Sequence, residues 1–150
     1  ELHFHGVPLG VLINGSTSGG AELIAGALQD HERGYVVGQR TRGKASIQTL
    51  LPLPVPSAAL KLTSGTFRRP SGKNLNRFPD SRPTDDWGIH PDREIRMSTA
   101  LQDKLEQWWT WQSLRPGDSR EPLPLDDLLT DAQVRFALER LRRAGAQASK

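Results

Sequence analysis

Apolar residues along this chain fall into short runs separated by glycine, proline and hydroxyl residues. Val7 to Ile13 is a nearly continuous apolar run, the pattern of a strand buried on both faces. From Gly20 to about His31 the apolar positions Leu23, Ile24, Ala27 and Leu28 recur at helical spacing, with Thr17 or Ser18 as the expected N-cap. Glu22 falls in the first turn, where a negative charge suits the helix dipole. Gly34 stops the helix, and Tyr35 to Val37 begins another strand. Strand, helix and strand in such close succession predict a βαβ unit, with parallel strands and a right-handed crossover.

Two more strands are expected at Ser46 to Leu51 and Ala59 to Thr66, split by the proline-rich Leu53 to Ser57. Arg69 to Pro91 is rich in Pro, Gly, Asn and Asp and predicts an irregular loop. Gly88 to Asp92 marks its end, and Arg93 to Met97 alternates like a short strand. Two helices follow. Thr99 to about Leu114 carries Leu101, Leu105, Trp108 and Trp109 on one side, with Ser98 or Thr99 as cap. The second is capped by Thr130 or Asp131 and repeats Val134, Leu138 and Leu141 at i, i+4 and i+7. Arg115 to Pro124 is the expected connector, and fraying is expected after Gly145.

Composition narrows the function classes. The chain has 150 residues, enough for one ordinary core or part of a larger one, and a polar mean hydropathy of −0.55. No apolar run approaches the roughly 18 residues that span a bilayer. There is no cysteine, which excludes disulfides and thiol chemistry. The net charge of +3 is mild, and the basic residues are scattered without an aromatic-interleaved motif, so no nucleic-acid partner is expected. The chain opens at Glu1 on a strand-like run, with no signal-peptide pattern. It is expected to be part of a longer protein, any export signal lying upstream.

Gly38-Gln-Arg-Thr-Arg-Gly43-Lys44-Ala45 nearly matches a phosphate-binding loop. Ala45 stands where a magnesium-binding hydroxyl is needed, and a strand follows where the loop should open a helix. Nucleotide binding is rejected on both counts. His3 and His5 share a strand face but lack an evident third metal ligand. His90 sits in a structural turn, and Asp85 and Asp86 are loop solvation. Trp108, Trp109 and Trp111 are packing residues.

The informative chemistry is a run of hydroxyls, Ser16, Thr17 and Ser18, at a strand-to-helix turn, followed by Lys44 and Gln48. A serine hydroxyl is a poor nucleophile until a base takes its proton. A lysine serves if it is neutral, which requires burial or a neighbouring positive charge. On an extended segment Gln48 shares a face with Lys44, so its amide oxygen would orient the amine without adding charge. The helix N-terminus offers amides to a developing oxyanion.

The segments Asn14 to Asp30, Gly38 to Pro52, Leu60 to Gly72 and Gly88 to Asp92 resemble, in order, the S41 peptidases, the carboxyl-terminal processing or tail-specific proteases. The resemblance implies an α/β fold, a crotonase/ClpP-like βαβ core with two C-terminal helices. That makes residues 1–97 the C-terminal part of a peptidase domain and 98–150 a helical extension. It implies a serine endopeptidase acting on protein or peptide substrates without metal or cofactor. An upstream PDZ-type domain and export to the periplasm or cell envelope are implied as well. Lys44 matches the family's general base and Gln48 its orienting residue. The family nucleophile usually stands three residues before the helix glutamate, here Glu22, and that position is Gly19. Ser18, one residue earlier, is the expected replacement, with the Gly19 N–H as part of the oxyanion hole and Ser16 and Thr17 as weaker candidates. The alternative is a catalytically inactive relative that binds peptide or scaffolds a partner.

Overall fold

The computed structural model describes residues 6–55, 57–114 and 131–148. Its centre is a three-stranded parallel sheet in the order β1 (Gly10–Ile13), β2 (Tyr35–Gly38), β5 (Arg93–Glu94). Helix α1 (Gly20–Asp30) connects β1 to β2, so the expected βαβ unit with a parallel pair is present. Strands β3 (Ser46–Pro52) and β4 (Ala59–Thr66) leave this sheet and form a separate antiparallel hairpin, with a register shift between Ile47 and Gln48. Helices α2 (Thr99–Leu114) and α3 (Ala132–Ala148) follow.

Alternation along the strands sends side chains to two faces. Val11, Ile13 and Val36 face α1 and join Leu23, Ala25, Ala45, Leu75 and Ile89 in one core. The other face receives α3. Ala137 and Leu141 lie against Gly10, and Phe136 meets the Tyr35 ring at 6.5 Å. Gln133 is buried and donates to the Ile95 carbonyl at 2.7 Å. Asp131 caps α3 by accepting the Gln133 N–H at 2.7 Å, one of the two expected caps.

Several expectations are corrected. The first strand is shorter than Val7 to Ile13 and is not buried on both faces; Val7, Leu9 and Leu12 stay exposed. The stripe of α3 that meets the sheet runs through Gln133, Ala137 and Leu141, leaving Leu138 exposed. A buried glutamine hides this stripe from an apolar-periodicity reading. The helix continues through Gly145 to Ala148 instead of fraying. The Arg93–Met97 strand contracts to two residues, since only Val37 and Gly38 are available as partners. The N-cap of α1 is Gly19, not Thr17 or Ser18. Arg115 to Pro124, His3 and His5 lie outside the described residues.

The end of β2 leaves no room for a side chain. Gly38 has φ 134°, and a Cβ there would sit 1.9 Å from the Ile13 carbonyl oxygen, which accepts the Gln39 N–H at 2.9 Å. Gly38→Ala is expected to cost more than about 3 kcal/mol in urea unfolding, because the β1–β2 pair must part to admit the methyl. Gly145→Ala, where the added carbon meets open space within α3, should instead gain about 0.5–1 kcal/mol.

A second tie fixes the far end of α1. Arg69 bonds the Asp30 carboxylate and donates to Gln29 Oε1 at 2.8 Å, while Ser71 N–H reaches Asp30 Oδ2 at 3.0 Å. Burial works against the Asp30 carboxylate, but the hydrogen bonds of Arg69 and Ser71 outweigh it and hold Asp30 below its ordinary 3.8. A carboxylate lowered by folding contributes stability that is complete above the unfolded value and is lost as pH falls through the folded one. The stability gap between the wild type and Asp30→Asn should therefore be constant from about pH 5 to 7 and close below about pH 4, measured by unfolding at each pH.

Candidate functional site

The hydroxyl turn is shaped first by Asn14. Its Oδ1 accepts the N–H groups of Ser16 at 3.0 Å and Thr17 at 3.2 Å, an Asx turn that ends β1 and sets the entry into α1. The three hydroxyls then go different ways. Thr17 Oγ1 accepts the Asn14 N–H at 3.1 Å. Ser16 Oγ donates to Glu106 Oε1 on α2 at 2.8 Å. That bond, with a second from Gln102, holds the Glu106 carboxyl below its ordinary value. Ser18 is half-buried, and its hydroxyl bonds to no described residue.

Glu22 joins this turn to the lysine segment. Its side chain is fully buried and accepts four hydrogen bonds. Oε2 takes the N–H of Gly19 and of Lys44, both at 2.9 Å. Oε1 takes the Gly43 N–H at 2.7 Å and the Thr41 hydroxyl at 2.5 Å. Thr41 Oγ1 in turn accepts the Ile89 N–H at 2.7 Å, and the Arg42 N–H reaches the Thr17 carbonyl at 2.9 Å. Three loops, 14–19, 41–44 and 88–89, thus meet around one carboxylate. Reading Glu22 as a dipole partner alone missed this. The signal is the Gly19-x-x-Glu22 spacing, in which a glutamate at N3 reaches back to the N-cap amide.

The turn closes at Gly19 with φ 62° and ψ −124°, a backbone region that side chains rarely adopt. A Cβ there would point toward the Lys44 segment, 3.9 Å from the Lys44 carbonyl oxygen and clear of every other neighbour. The Gly19 N–H is taken by Glu22. The next two N–H groups, those of Gly20 and Ala21, donate to no described residue and open the helix to solvent.

Lys44 is exposed, and its amine bonds to no described residue. Gln48 does not reach it. The Gln48 Nε2 donates to Ser46 Oγ at 3.1 Å and Thr63 Oγ1 at 2.8 Å. The expected shared face fails here because Lys44 precedes β3 and the register shift at Ile47 and Gln48 breaks the alternation. Thus Glu22 holds the backbones of Gly19 and Lys44 together at one end of α1, with Ser18 adjoining, while Gln48 is bonded to Ser46 and Thr63 instead. Asn76 and Arg77 also belong to this end. Asn76 Oδ1 accepts the Ala45 N–H at 3.3 Å, and the Arg77 N–H bonds the Gly43 carbonyl at 2.8 Å. Arg40 stacks 3.3 Å over the Trp87 ring and donates to the Trp87, Pro83 and Asp85 carbonyls, which pins the 82–87 loop.

With this geometry in place, the comparisons with known proteins place the chain. A model of peptidase family S41 matches residues 3–95, more than half of the sequence. The chain belongs to peptidase family S41. It is 44% identical over 99 residues to a carboxy-terminal-processing protease of Bartonella bacilliformis, covering 66% of this chain and 20% of that protein. It is 35% identical over 91 residues to a chloroplastic C-terminal processing peptidase of Tetradesmus obliquus, covering 55% and 19%. Among solved structures, a photosystem II D1 C-terminal processing protease superposes with a TM-score of 0.51 at 34% identity, over 59% of this chain and 20% of that one. The crotonase/ClpP-like assignment of the α/β core agrees with this neighbour. The chain spans about a fifth of the length of the curated relatives it matches.

The Glu22 network predicts a measurable cost. Glu22→Gln replaces one acceptor oxygen by an NH₂ group that must face N–H donors, leaving at least one buried amide unpaired. Urea unfolding should show a loss of about 2–3 kcal/mol for Glu22→Gln and about 1–2 kcal/mol for Thr41→Val. Equal stability of all three proteins would remove Glu22 from its organising role.

Proposed function

We propose that this protein is an S41 peptidase acting on polypeptides, with its reacting groups at the turn of residues 14–19 and the segment of residues 41–48. The observation that carries the reading is the shared acceptor: one oxygen of Glu22 binds the amides of both Gly19 and Lys44 at 2.9 Å. The hydroxyl turn and the lysine are thereby held on either side of a single atom. In the hydrolytic form of this reading Ser18 attacks the peptide carbonyl carbon, and Lys44 takes the hydroxyl proton. Lys44 then returns that proton to the departing amine as the peptide C–N bond breaks. Water hydrolyses the acyl-enzyme, which restores the serine. Gln48 orients Lys44, and the Gly19 amide contributes to the oxyanion hole. None of these steps calls for a metal or cofactor.

For Ser18 to act, the turn must slip by one residue, so that the Gly19 amide leaves Glu22 and Gln48 turns from Thr63 toward Lys44. Adjacent glycines at 19 and 20 permit the backbone change, which gives up one of the four hydrogen bonds of Glu22. By analogy with the relatives' names, the substrate is a protein cut near its C-terminus. An upstream PDZ-type domain and an exported or organellar location belong to the same proposal.

A second reading fits the turn without rearrangement. The left-handed dihedrals, the direction a Cβ would take and the open Gly20 amide support reading position 19 as the reacting one. Glycine there carries no nucleophile, and the protein would then hold peptide without cutting it. A fluorescent fluorophosphonate separates the two. Labelling of the wild type that disappears in Ser18→Ala supports hydrolysis through Ser18. An unlabelled wild type together with a labelled Gly19→Ser variant supports the non-hydrolytic reading. If neither protein is labelled, the Ser/Lys assignment falls.

A further inference from the structure

Beside Lys44 a cleft of about 490 Å³ opens between the start of β3, the end of β4 and the loop of residues 76–79. Three cations line it, Arg42, Lys44 and Arg77, together with Ser46, Thr63 and Asn76. Among the described residues no carboxylate lines it. None of the three cations forms an ion pair with a described residue, although elsewhere Arg69, Arg96 and Arg143 each do. The cleft is built on a fixed backbone. The Gly43 carbonyl accepts the Arg77 N–H, the Ala45 carbonyl accepts the Phe67 N–H at 2.7 Å, and buried Asn76 holds the Ala45 amide. Arg77 is braced against the Trp87 ring, 4.7 Å from its centroid. Among the described residues Arg42 is held only through its backbone N–H, and its side chain is exposed.

Unpaired cations gathered in a concave site with hydroxyl donors favour a negatively charged occupant, and arginine suits a planar carboxylate through paired N–H donors. We propose that this cleft is a specificity subsite for a peptide carboxylate, with Arg42 and Arg77 as its recognition residues. The proposal rests on the reading that polypeptide occupies the adjoining turn, and it adds a preference for an acidic group near the position Lys44 faces. The carboxylate is supplied either by an Asp or Glu side chain or by the peptide's own C-terminus. Among the described residues the Arg42 side chain has no bonding partner, which a selective role explains.

The test measures binding, not turnover. Four N-terminally fluorescein-labelled octapeptides of alanine and leucine carry one central Glu or Gln, each with a free or an amidated C-terminus. Anisotropy titrations against the full-length protein at low salt should give a preference of about 5- to 10-fold for the carboxylate form at one of the two positions, shrinking toward unity near 0.5 M salt. The position that shows the preference identifies the source. Arg42→Gln should remove most of it and Arg42→Glu should reverse it, with Arg77→Gln as an independent check. Equal affinity for all four peptides, no binding of any, or an unchanged preference in both arginine variants would overturn the proposal. Fluorophosphonate labelling is scored separately. A charge preference without labelling keeps the subsite and removes hydrolysis, and labelling without a preference does the reverse.

Discussion

A buried carboxylate at the start of α1 is the constraint on which the site depends. Four donors converge on Glu22, three of them backbone amides from two different loops. A charge taken out of water is expensive unless its lone pairs are filled, and here they are filled by groups that would themselves be unpaired. Neither side of the contact can relax alone. That mutual need fixes the distance between the hydroxyl turn and the lysine segment more sharply than apolar contact would, because hydrogen bonds tolerate only small changes in length and angle. Thr41 extends the network by donating to Glu22 and accepting from Ile89, so the Gly88 to Asp92 motif is drawn into the same assembly.

The same contact decides the phase of the turn. By accepting the Gly19 amide, Glu22 makes Gly19 the cap and imposes on it a backbone conformation that glycine adopts at little cost and serine would adopt under strain. Strain of this kind is common where a reacting atom must be thrust out of a sharp strand-to-helix turn. Here the strained position is present while its side chain is absent, and the adjacent Ser18 hydroxyl has no bonding partner among the described residues. In the proposed function, one residue of phase is what separates the hydrolytic reading from the non-hydrolytic one.

Local signals carried most of the elements into the sequence reading. The βαβ unit followed from an apolar run, a helical repeat and a second run, and the bounds of β4 and α2 coincide with those expected. What escaped was long-range. The contact face of α3 hinges on Gln133, whose burial is compensated by a carbonyl 38 residues away, so no periodicity of apolar residues could reveal it. The pairing of Lys44 with Gln48 assumed unbroken alternation, and a register shift is invisible without the partner strand. Ser18, Gly19 and Lys44 were legible as neighbours only through family spacing, whereas the carboxylate that holds them together looked like an ordinary first-turn glutamate.

The modest size of the core explains why polar contacts carry so much of the architecture. Among the described residues the cluster that α1 shares with the sheet contains six buried apolar residues, two of them alanines. The β3–β4 hairpin meanwhile exposes Leu50, Leu51, Leu60 and Leu62, so it adds little burial of its own. Apolar burial is non-directional and sets density better than geometry. The directional work falls to Glu22, to the Arg69 and Asp30 pair at the opposite end of α1, and to Asp92, whose carboxylate accepts the Val36 amide and the Gln29 side chain. Helix α1 is thus clamped to its surroundings at both ends by carboxylates. Its N-terminus keeps a fixed address beside Lys44 even though the strands beneath it are only four residues long.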